Sequence, residues 1–169
     1  FAPAHHPALR HAAQARRELG VRTVFNALGP LANPARASHQ LVGVYDDDLR
    51  PKAAAVLGRL GVRRAWVVRS IDGLDEISPA AETRASVLEE DGSVTEVVVA
   101  PERYGLPRLP LSALAGSDAN GNARSLEAIL AGEPHPARDA LLLNAAAALE
   151  IATGDPPLRA SERAREALT

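Results

Sequence analysis

Neither cysteine nor methionine occurs in this sequence, and its aromatic residues are one Trp, two Tyr and two Phe. Without cysteine the chain can form neither a disulfide framework nor a thiolate metal site, and its composition fits a reducing cytoplasm. With so few aromatic side chains, Ala, Leu and Val must fill the core. Because Met is missing even at position 1, we expect the chain to be a piece of a longer protein unless it was processed.

Long apolar runs and concentrated positive charge are also missing. No run approaches the roughly 20 apolar residues that span a bilayer, and the N-terminal FAPAHHPALR lacks the apolar core of a signal peptide. The net charge is −2, the pI is about 6.2, and the basic residues are spread along the chain. Binding to nucleic-acid phosphates needs a concentrated cationic face. We therefore expect a soluble protein with neither a membrane nor a nucleic acid as a partner.

The length and the apolar pattern indicate the fold class. A chain of 169 residues, 46% of them hydrophobic, is predicted to form one domain over residues 1–169. Strand patterns at His39–Tyr45 and Arg64–Arg69 flank a helical pattern at Arg50–Leu60, which is a strand–helix–strand unit of the parallel α/β type. Alternating residues at Thr83–Glu89 and Val94–Ala100, joined by an Asp-Gly turn, predict a β-hairpin. The predicted fold is therefore α/β, with a mixed, mainly parallel sheet flanked by helices and a β-hairpin.

The remaining segments predict further helices, one short strand and one loop. Helical spacing of apolar residues occurs in four segments: Pro7–Gly20, Ser125–Leu130, Ala137–Thr153 and Ser161–Leu168. Val21–Asn26 has the pattern of a short strand. The Gly, Pro and Asn residues of Leu28–Pro34 predict a loop of fixed shape instead of a regular element.

The loops after the strands are the candidate sites, because ligands of open α/β sheets usually bind beyond the carboxyl ends of the strands. The stretch SIDGLDEIS directly follows the predicted strand Arg64–Arg69 and contains the adjacent acids Asp75 and Glu76. Mg²⁺ takes oxygen ligands, keeps several waters, and is commonly held by one or two carboxylates together with substrate phosphates. The adjacent acids therefore suggest a magnesium site. The alternative is that Asp72 to Glu76 form a solvated turn with an acidic helix start.

Other charged groups have an ordinary explanation beside a functional one. The acidic run Asp46–Asp48 favours a helix N-terminus over a metal site. Arg16, near a predicted helix end, either complements the helix dipole or grips a planar carboxylate with two parallel hydrogen bonds. His5 and His6 are adjacent and make a poor metal pair, although His6 before Pro7 could orient a loop or a substrate.

Motifs of several enzyme classes are absent. The sequence contains no G-x-S-x-G nucleophile elbow, which argues against a nucleophilic hydrolase. It also lacks the P-loop and the G-x-G-x-x-G fingerprint, so no recognisable phosphate cradle is present.

Three segments together carry a family resemblance: FAPAHHPALRHAAQARRELGVRTVFNALGPLANP, LVGVY and DGLDEIS. They closely resemble the C-terminal half of the anthranilate phosphoribosyltransferase family, and the likeness continues through VVVAPERYGLP and DALLLNAAAALEIA. The resemblance implies a catalytic domain of the nucleoside phosphorylase/phosphoribosyltransferase type. It also implies transfer of phosphoribosyl from phosphoribosyl pyrophosphate to the amino group of anthranilate in tryptophan biosynthesis, with Mg²⁺ and release of pyrophosphate.

The resemblance also implies roles for individual residues. Arg16 would hold the anthranilate carboxylate, and the turn at Gly29 and Pro30 would line the path or pocket for its aromatic ring. Asp75 and Glu76 would take part in Mg²⁺ binding at the pyrophosphate. His6 would lie near the anthranilate channel. No catalytic side chain is assigned, because anthranilate is already a usable nucleophile and mainly needs to be positioned.

The chain also departs from the family pattern. The family's glycine-rich phosphoribosyl-pyrophosphate loop, its lysine-containing loop and its helical N-terminal domain would all lie before Phe1. Ser70 and Ile71 replace a His-Gly-like pair, and Ser117 interrupts a Gly-Gly-Asp. We therefore expect a C-terminal part that is inactive or nearly so alone. It would be a monomer or an irregular associate, whereas the complete enzyme would be a homodimer. The alternatives are a non-enzymatic nucleic-acid-binding relative and a pyrimidine-nucleoside phosphorylase-like enzyme.

Overall fold

The computed structural model describes residue 18, residues 20–21 and residues 25–168, with the backbone alone described for 25–27. The regular elements of this part follow in chain order: α1 (Phe25–Leu31), β1 (His39–Gly43), α2 (Leu49–Arg59), β2 (Arg64–Ser70), β3 (Thr83–Leu88), β4 (Val94–Val99), two 3₁₀ turns (Pro101–Tyr104 and Leu111–Leu114), α3 (Ala119–Leu130), α4 (Arg138–Thr153) and α5 (Pro157–Glu166). Within these ranges, no helix is both long and apolar enough to cross a membrane.

The four described strands form one sheet in the order β1-β2-β3-β4. Strands β1 and β2 pair in parallel, with His39 opposite Arg64 and Gly43 opposite Val68. Strands β2, β3 and β4 pair antiparallel. The mixed α/β class and the hairpin are confirmed, but this sheet has one parallel pairing and two antiparallel ones, so it is not mainly parallel. The reason is that a parallel neighbour needs a crossover, which α2 provides between β1 and β2, whereas residues 71–82 contain no helix.

Strand β2 lies in the middle of the core because both of its faces are apolar. Side chains alternate between the faces of a strand. Trp66 and Val68 pack with α4 and α5 on one face, which we call the α4 face. Ala65 and Val67 pack with α2 on the other, the α2 face. All four are at most 6% exposed, so two helical layers cover this strand.

The hairpin and most helices match the sequence prediction, with shifted ends. The predicted Asp-Gly turn joins β3 and β4, and Gly92 has a φ of 83° there. Helix α3 begins at Ala119, well before the predicted Ser125, because the Asp118 carboxylate accepts a hydrogen bond from the Gly121 N–H at 2.7 Å and caps the helix. Helix α5 begins at Pro157, a residue type that suits the first helical turn.

Two predictions for the N-terminal part are wrong where the structure describes it. Phe25 and Asn26 belong to helix α1 and not to a strand, and α1 extends through the predicted loop to Leu31, with Pro30 inside it. The missing N–H of Pro30 falls in the last turn, where the Ala32 N–H still bonds to the Leu28 carbonyl at 2.9 Å. Leu31 packs against the α2-face core, and this packing outweighs the local turn signal.

Candidate functional site

The carboxyl ends of β1 and β2 lie side by side, because the two strands are parallel neighbours. The Val44 N–H continues the pairing with a 3.1 Å bond to the Val68 carbonyl. The loop entering Asp46 and the SIDGLDEIS stretch, residues 70–78, therefore leave the sheet at the same edge. We call residues 70–78 the acidic loop.

Gly43, the last residue of β1, is in contact with the acidic loop. A Cβ atom at position 43 would overlap the carbonyl group of Asp75. The backbone of Asp75 can therefore approach β1 this closely only because residue 43 is glycine.

The acidic loop is closed by its own hydrogen bonds. The Ser70 N–H bonds to the Leu74 carbonyl at 2.9 Å, and the Gly73 N–H bonds to the Ser70 carbonyl at 3.1 Å. The Ser78 hydroxyl donates to the Asp72 carboxylate at 2.6 Å, and the Leu74 N–H donates to the same carboxylate at 3.2 Å. Gly73, with a φ of 99°, makes the reversal. Asp72 thus serves to hold the loop together.

The pKa of Asp72 reflects this role. Burial raises it, but hydrogen bonds from the Ser78 and Ser70 side chains and from the Leu74 N–H outweigh burial, so the pKa lies below its ordinary value. Asp72 is therefore ionised at neutral pH and is already occupied by donors of its own loop.

Asp75 and Glu76 remain the available carboxylates of the acidic loop. Both are exposed, and within the described residues neither side chain takes part in a hydrogen bond or an ion pair. The same part of the chain contains no group of three or more His, Cys, Asp or Glu residues that could hold a metal by themselves. Two exposed carboxylates fit an open Mg²⁺ site, where water and phosphate oxygens complete the coordination. They do not fit a closed site made by protein ligands alone.

The C-terminal half of the acidic loop is attached to helix α4. Ile77, directly after Glu76, is fully buried. Its N–H donates to Oδ1 of Asn144 at 3.0 Å, and its carbonyl accepts from Nδ2 of Asn144 at 3.0 Å. The Ser78 N–H bonds to the Thr83 hydroxyl at 3.0 Å. Sequence reasoning missed Asn144, whose only signal is that an amide interrupts the apolar run LLLNAAAAL.

An apolar cavity of about 180 Å³, which we call the Pro30 cavity, lies beside the same end of β1. Its walls include Leu28 and Pro30 of α1, Gly43 at the end of β1, Tyr45 just after it, and Lys52 of α2. Gly43 therefore borders this cavity and also contacts Asp75. The structure brings Pro30 and the acidic loop to one strand end. Gly29 is half-buried in the same helix and is not part of the cavity wall.

A second, wider cavity of about 440 Å³ lies on the other side of the acidic loop, between it and helices α3 and α4. Its wall includes the polar residues Glu76, Asn122, Ser125, His135 and Asn144. The His135 ring accepts a 3.1 Å bond from the Ala137 N–H through Nδ1. Glu76 and Asn144 therefore border the same space.

Two predicted site residues, Arg16 and His6, lie outside the described residues, and so does most of the predicted helix Pro7–Gly20. Their roles stay predictions. The acidic run Asp46–Asp48 does lie at the N-terminus of a helix, α2, as predicted. Asp47 in this run accepts a 2.8 Å hydrogen bond from Nε of Arg50, so an arginine occupies it.

Comparison with known proteins gives consistent matches over the whole chain. The model of the family described as "Glycosyl transferase family, a/b domain" matches residues 1–169. The anthranilate phosphoribosyltransferase of Myxococcus xanthus is 56% identical over 151 residues, which cover 89% of this chain and 45% of that protein. The chain thus spans about half the length of the curated relatives that it matches.

Solved structures resemble the chain over a similar range. Anthranilate phosphoribosyltransferase from Saccharomyces cerevisiae in complex with 4-fluoroanthranilate superimposes with a TM-score of 0.87 at 29% identity, covering 96% of this chain and 48% of that one. The same yeast enzyme in complex with PRPP and Mg gives a TM-score of 0.84 at 30% identity, covering 96% and 47%. The similarity therefore extends from sequence to fold.

Proposed function

Since this chain belongs to the family described as "Glycosyl transferase family, a/b domain", we propose that it forms the α/β part of an anthranilate phosphoribosyltransferase. The complete enzyme would transfer phosphoribosyl from phosphoribosyl pyrophosphate to anthranilate in tryptophan biosynthesis. The amine nitrogen forms a bond to the ribose C1, the bond from C1 to the pyrophosphate oxygen breaks, and the amine loses a proton. The observation that carries the proposal is the pair of unengaged carboxylates, Asp75 and Glu76, beside the Pro30 cavity at one strand end.

Asp75 and Glu76 are the residues that would hold Mg²⁺. The ion supplies positive charge that offsets the charge developing on the leaving pyrophosphate. The complex of the yeast enzyme with PRPP and Mg supports the use of Mg²⁺. Asp72 keeps the loop closed through Ser78 and Leu74, which leaves the other two carboxylates free to bind.

Arg16, Gly29, Pro30 and His6 are assigned to anthranilate. Arg16 would grip the carboxylate and so orient the amine, while His6 would lie near the channel. Pro30 and the apolar wall around it would contact the aromatic ring. A dry apolar cavity of about 150 Å³ binds benzene, so a cavity of about 180 Å³ has room for one ring. The complex of the yeast enzyme with 4-fluoroanthranilate supports a site for such a compound.

The cellular context stays as the sequence analysis predicted it. We propose a cytoplasmic enzyme that is a homodimer in its complete form and has no nucleic-acid or membrane partner.

The test is a Mg²⁺ titration of phosphoribosyl-anthranilate formation by the natural gene product that contains this chain. We expect product formation that depends on Mg²⁺. Replacing Asp75 by Asn and Glu76 by Gln should weaken activation by Mg²⁺ by more than roughly tenfold, which is the lower end of the 10- to 100-fold loss typical of changes to groups that only contact metal ligands.

The matched control removes another adjacent acid pair, Glu90 and Asp91, in the exposed hairpin turn, through Glu90→Gln and Asp91→Asn. The net charge changes equally, but the site is untouched. No product at any Mg²⁺ concentration would overturn the proposed function. If the two double variants were activated equally by Mg²⁺, Asp75 and Glu76 would not be Mg²⁺ ligands.

A further inference from the structure

Asn144 is a partly buried polar residue of helix α4, and it lies next to residues that pack into the apolar core. Its neighbours Leu142, Leu143, Ala146 and Ala147 all belong to the α4-face core. Its side-chain amide makes three hydrogen bonds. Two connect it to the N–H and the carbonyl of Ile77, and the third is a 3.1 Å bond from Nδ2 to the carbonyl of Ala140, one turn earlier in the helix.

These bonds fix the backbone on both sides of Ile77. Because Ile77 is fully buried, its N–H and carbonyl cannot rely on water and need partners in the protein. The N–H belongs to the peptide that follows Glu76, and the carbonyl belongs to the peptide that precedes Ser78. A single side chain therefore sets the orientation of two successive peptide planes, one of which is attached to Glu76.

A second contact holds the loop on the other side of the acid pair. The backbone of Asp75 lies against Gly43 of β1, and the Ile77 backbone is bound by Asn144 of α4. The acidic loop is thus attached to β1 at Asp75 and to α4 directly after Glu76, while the side chains of both acids are exposed. The bonded donors and acceptors lie in the backbone, so they leave both carboxylates available.

From this geometry we propose that Asn144 is a positioning residue for the divalent-cation site. It holds the backbone at Ile77 so that Asp75 and Glu76 are arranged before the cation and its phosphate ligand bind. This inference rests on the proposed function of the acid pair. Its physical basis is preorganisation: a loop that is already ordered does not lose conformational entropy when the ligand binds.

The test measures cation binding directly in the natural gene product that contains this chain. Mn²⁺ binding in the presence of pyrophosphate is followed by electron paramagnetic resonance. Asn144→Leu, which keeps the side-chain size but removes the amide, should raise the apparent Mn²⁺ dissociation constant about tenfold. The Michaelis constant for anthranilate should change less than about twofold, which a general loss of structure would not produce.

The matched control is Glu150→Gln on the same helix. Glu150 is a buried polar residue that bonds to Arg103 at 2.5 Å and Tyr104 at 2.7 Å and not to the acidic loop. This variant should bind Mn²⁺ as the wild type does. If Asn144→Leu binds Mn²⁺ as tightly as Glu150→Gln does, Asn144 does not position the site.

A measurement on the wild type covers the case in which Asn144→Leu fails to fold. The Ile77 amide should already be protected from hydrogen exchange without any cation, and Mg²⁺ with pyrophosphate should slow its exchange little further. Rapid exchange that becomes slow only with the cation would overturn the proposal. A wild type that neither binds Mn²⁺ nor forms product would overturn the proposed function itself, and the inference with it. If the wild type binds Mn²⁺ and Asn144→Leu binds it equally well, the inference about Asn144 is overturned and the proposed function is not.

Discussion

Gly43 shows at the scale of one residue how the strand end and the acidic loop depend on each other. It lines the Pro30 cavity, and it also allows the Asp75 backbone to lie against β1. The atoms that a Cβ would meet there are backbone atoms, which cannot turn aside as a side chain can. The position therefore requires glycine for reasons of space.

We predict that Gly43→Ala displaces the acidic loop. The overlap with the Asp75 carbonyl should lower the free energy of unfolding by about 1–3 kcal/mol, as overpacking does. Activation by Mg²⁺ should also weaken, because Asp75 and Glu76 move with the loop. Urea unfolding and a Mg²⁺ titration of activity measure the two effects.

The control is Gly58→Ala in helix α2, where the new Cβ would meet only the tip of the Leu88 side chain, at 3.0 Å. A flexible side chain can shift, and alanine favours a helix over glycine by roughly 0.5–1 kcal/mol. Gly58→Ala should therefore be close to neutral. A Gly43→Ala variant that behaves like Gly58→Ala would show that the loop does not lie against β1.

At the scale of elements, buried Arg50 links helix α2 to the β-hairpin. Its guanidinium donates to Ser86 on β3 at 3.0 Å and to Glu96 on β4 at 2.5 Å. It also donates to Asp47 in the turn before α2. Arg50 is only 6% exposed, and burying its positive charge without partners would be costly. The three hydrogen-bond partners offset this cost. The carboxylates around Arg50 are thus part of the fold.

We predict a loss of stability in acid that depends on Asp47. The hydrogen bond from Arg50 lowers the pKa of Asp47, burial opposes it, and Arg84 lowers it further, so the pKa lies below the ordinary value of 3.8. The contribution of ionised Asp47 is then complete above the unfolded-state pKa and disappears as the pH falls through the lower folded-state pKa. Asp47→Asn should cost about 1 kcal/mol at pH 7.

Urea unfolding between pH 7 and pH 2.5 tests this prediction. The curves of wild type and Asp47→Asn should approach each other below about pH 4, where the wild type loses the contribution of the carboxylate. Asp48→Asn is the control, because the Asp48 side chain makes no capping hydrogen bond although it stands next to the same helix. A constant difference between wild type and Asp47→Asn at every pH would rule out the assigned role.

At the scale of the whole molecule, strand β4 is an edge of the described sheet. Its residues from Val94 to Val98 are all exposed, and the Val98 side chain is 60% exposed. An exposed edge strand rich in valine can pair with another chain. Such pairing would produce an irregular associate, which is one of the two states expected for the isolated chain, the other being a monomer.

We predict that Val98→Lys reduces self-association of the isolated chain. A lysine on an edge strand opposes pairing with a second copy, and the exposed position leaves the core intact. Light scattering and sedimentation as functions of concentration should show less associated material, with a melting temperature close to that of the wild type. The control is Val21→Lys, which adds the same charge at an exposed position outside the sheet. Equal association of both variants and the wild type would exclude the β4 edge as the contact.

Some parts of the fold could be predicted from short stretches of sequence, and others could not. The unit from β1 to β2 and the Asp-Gly hairpin were predicted because apolar alternation and turn residues act locally. Helix α1 was missed because Gly29 and Pro30 have strong turn preferences, while the packing of Leu31 against the core favours a helix. The predominance of parallel pairing was overestimated because nothing in residues 71–82 revealed the direction of the returning strand.

The candidate site divides in the same way. The order of residues alone shows that Asp75 and Glu76 come after an apolar strand pattern, that Pro30 lies in a segment of unusual composition, and that no cysteine is available as a ligand. The packing of Asp75 on Gly43 and the bonds from Asn144 to the backbone of Ile77 become visible in the folded chain alone. Asn144 and Ile77 are 67 positions apart in the chain. Such contacts form when the sheet and α4 pack together, and no local preference encodes them.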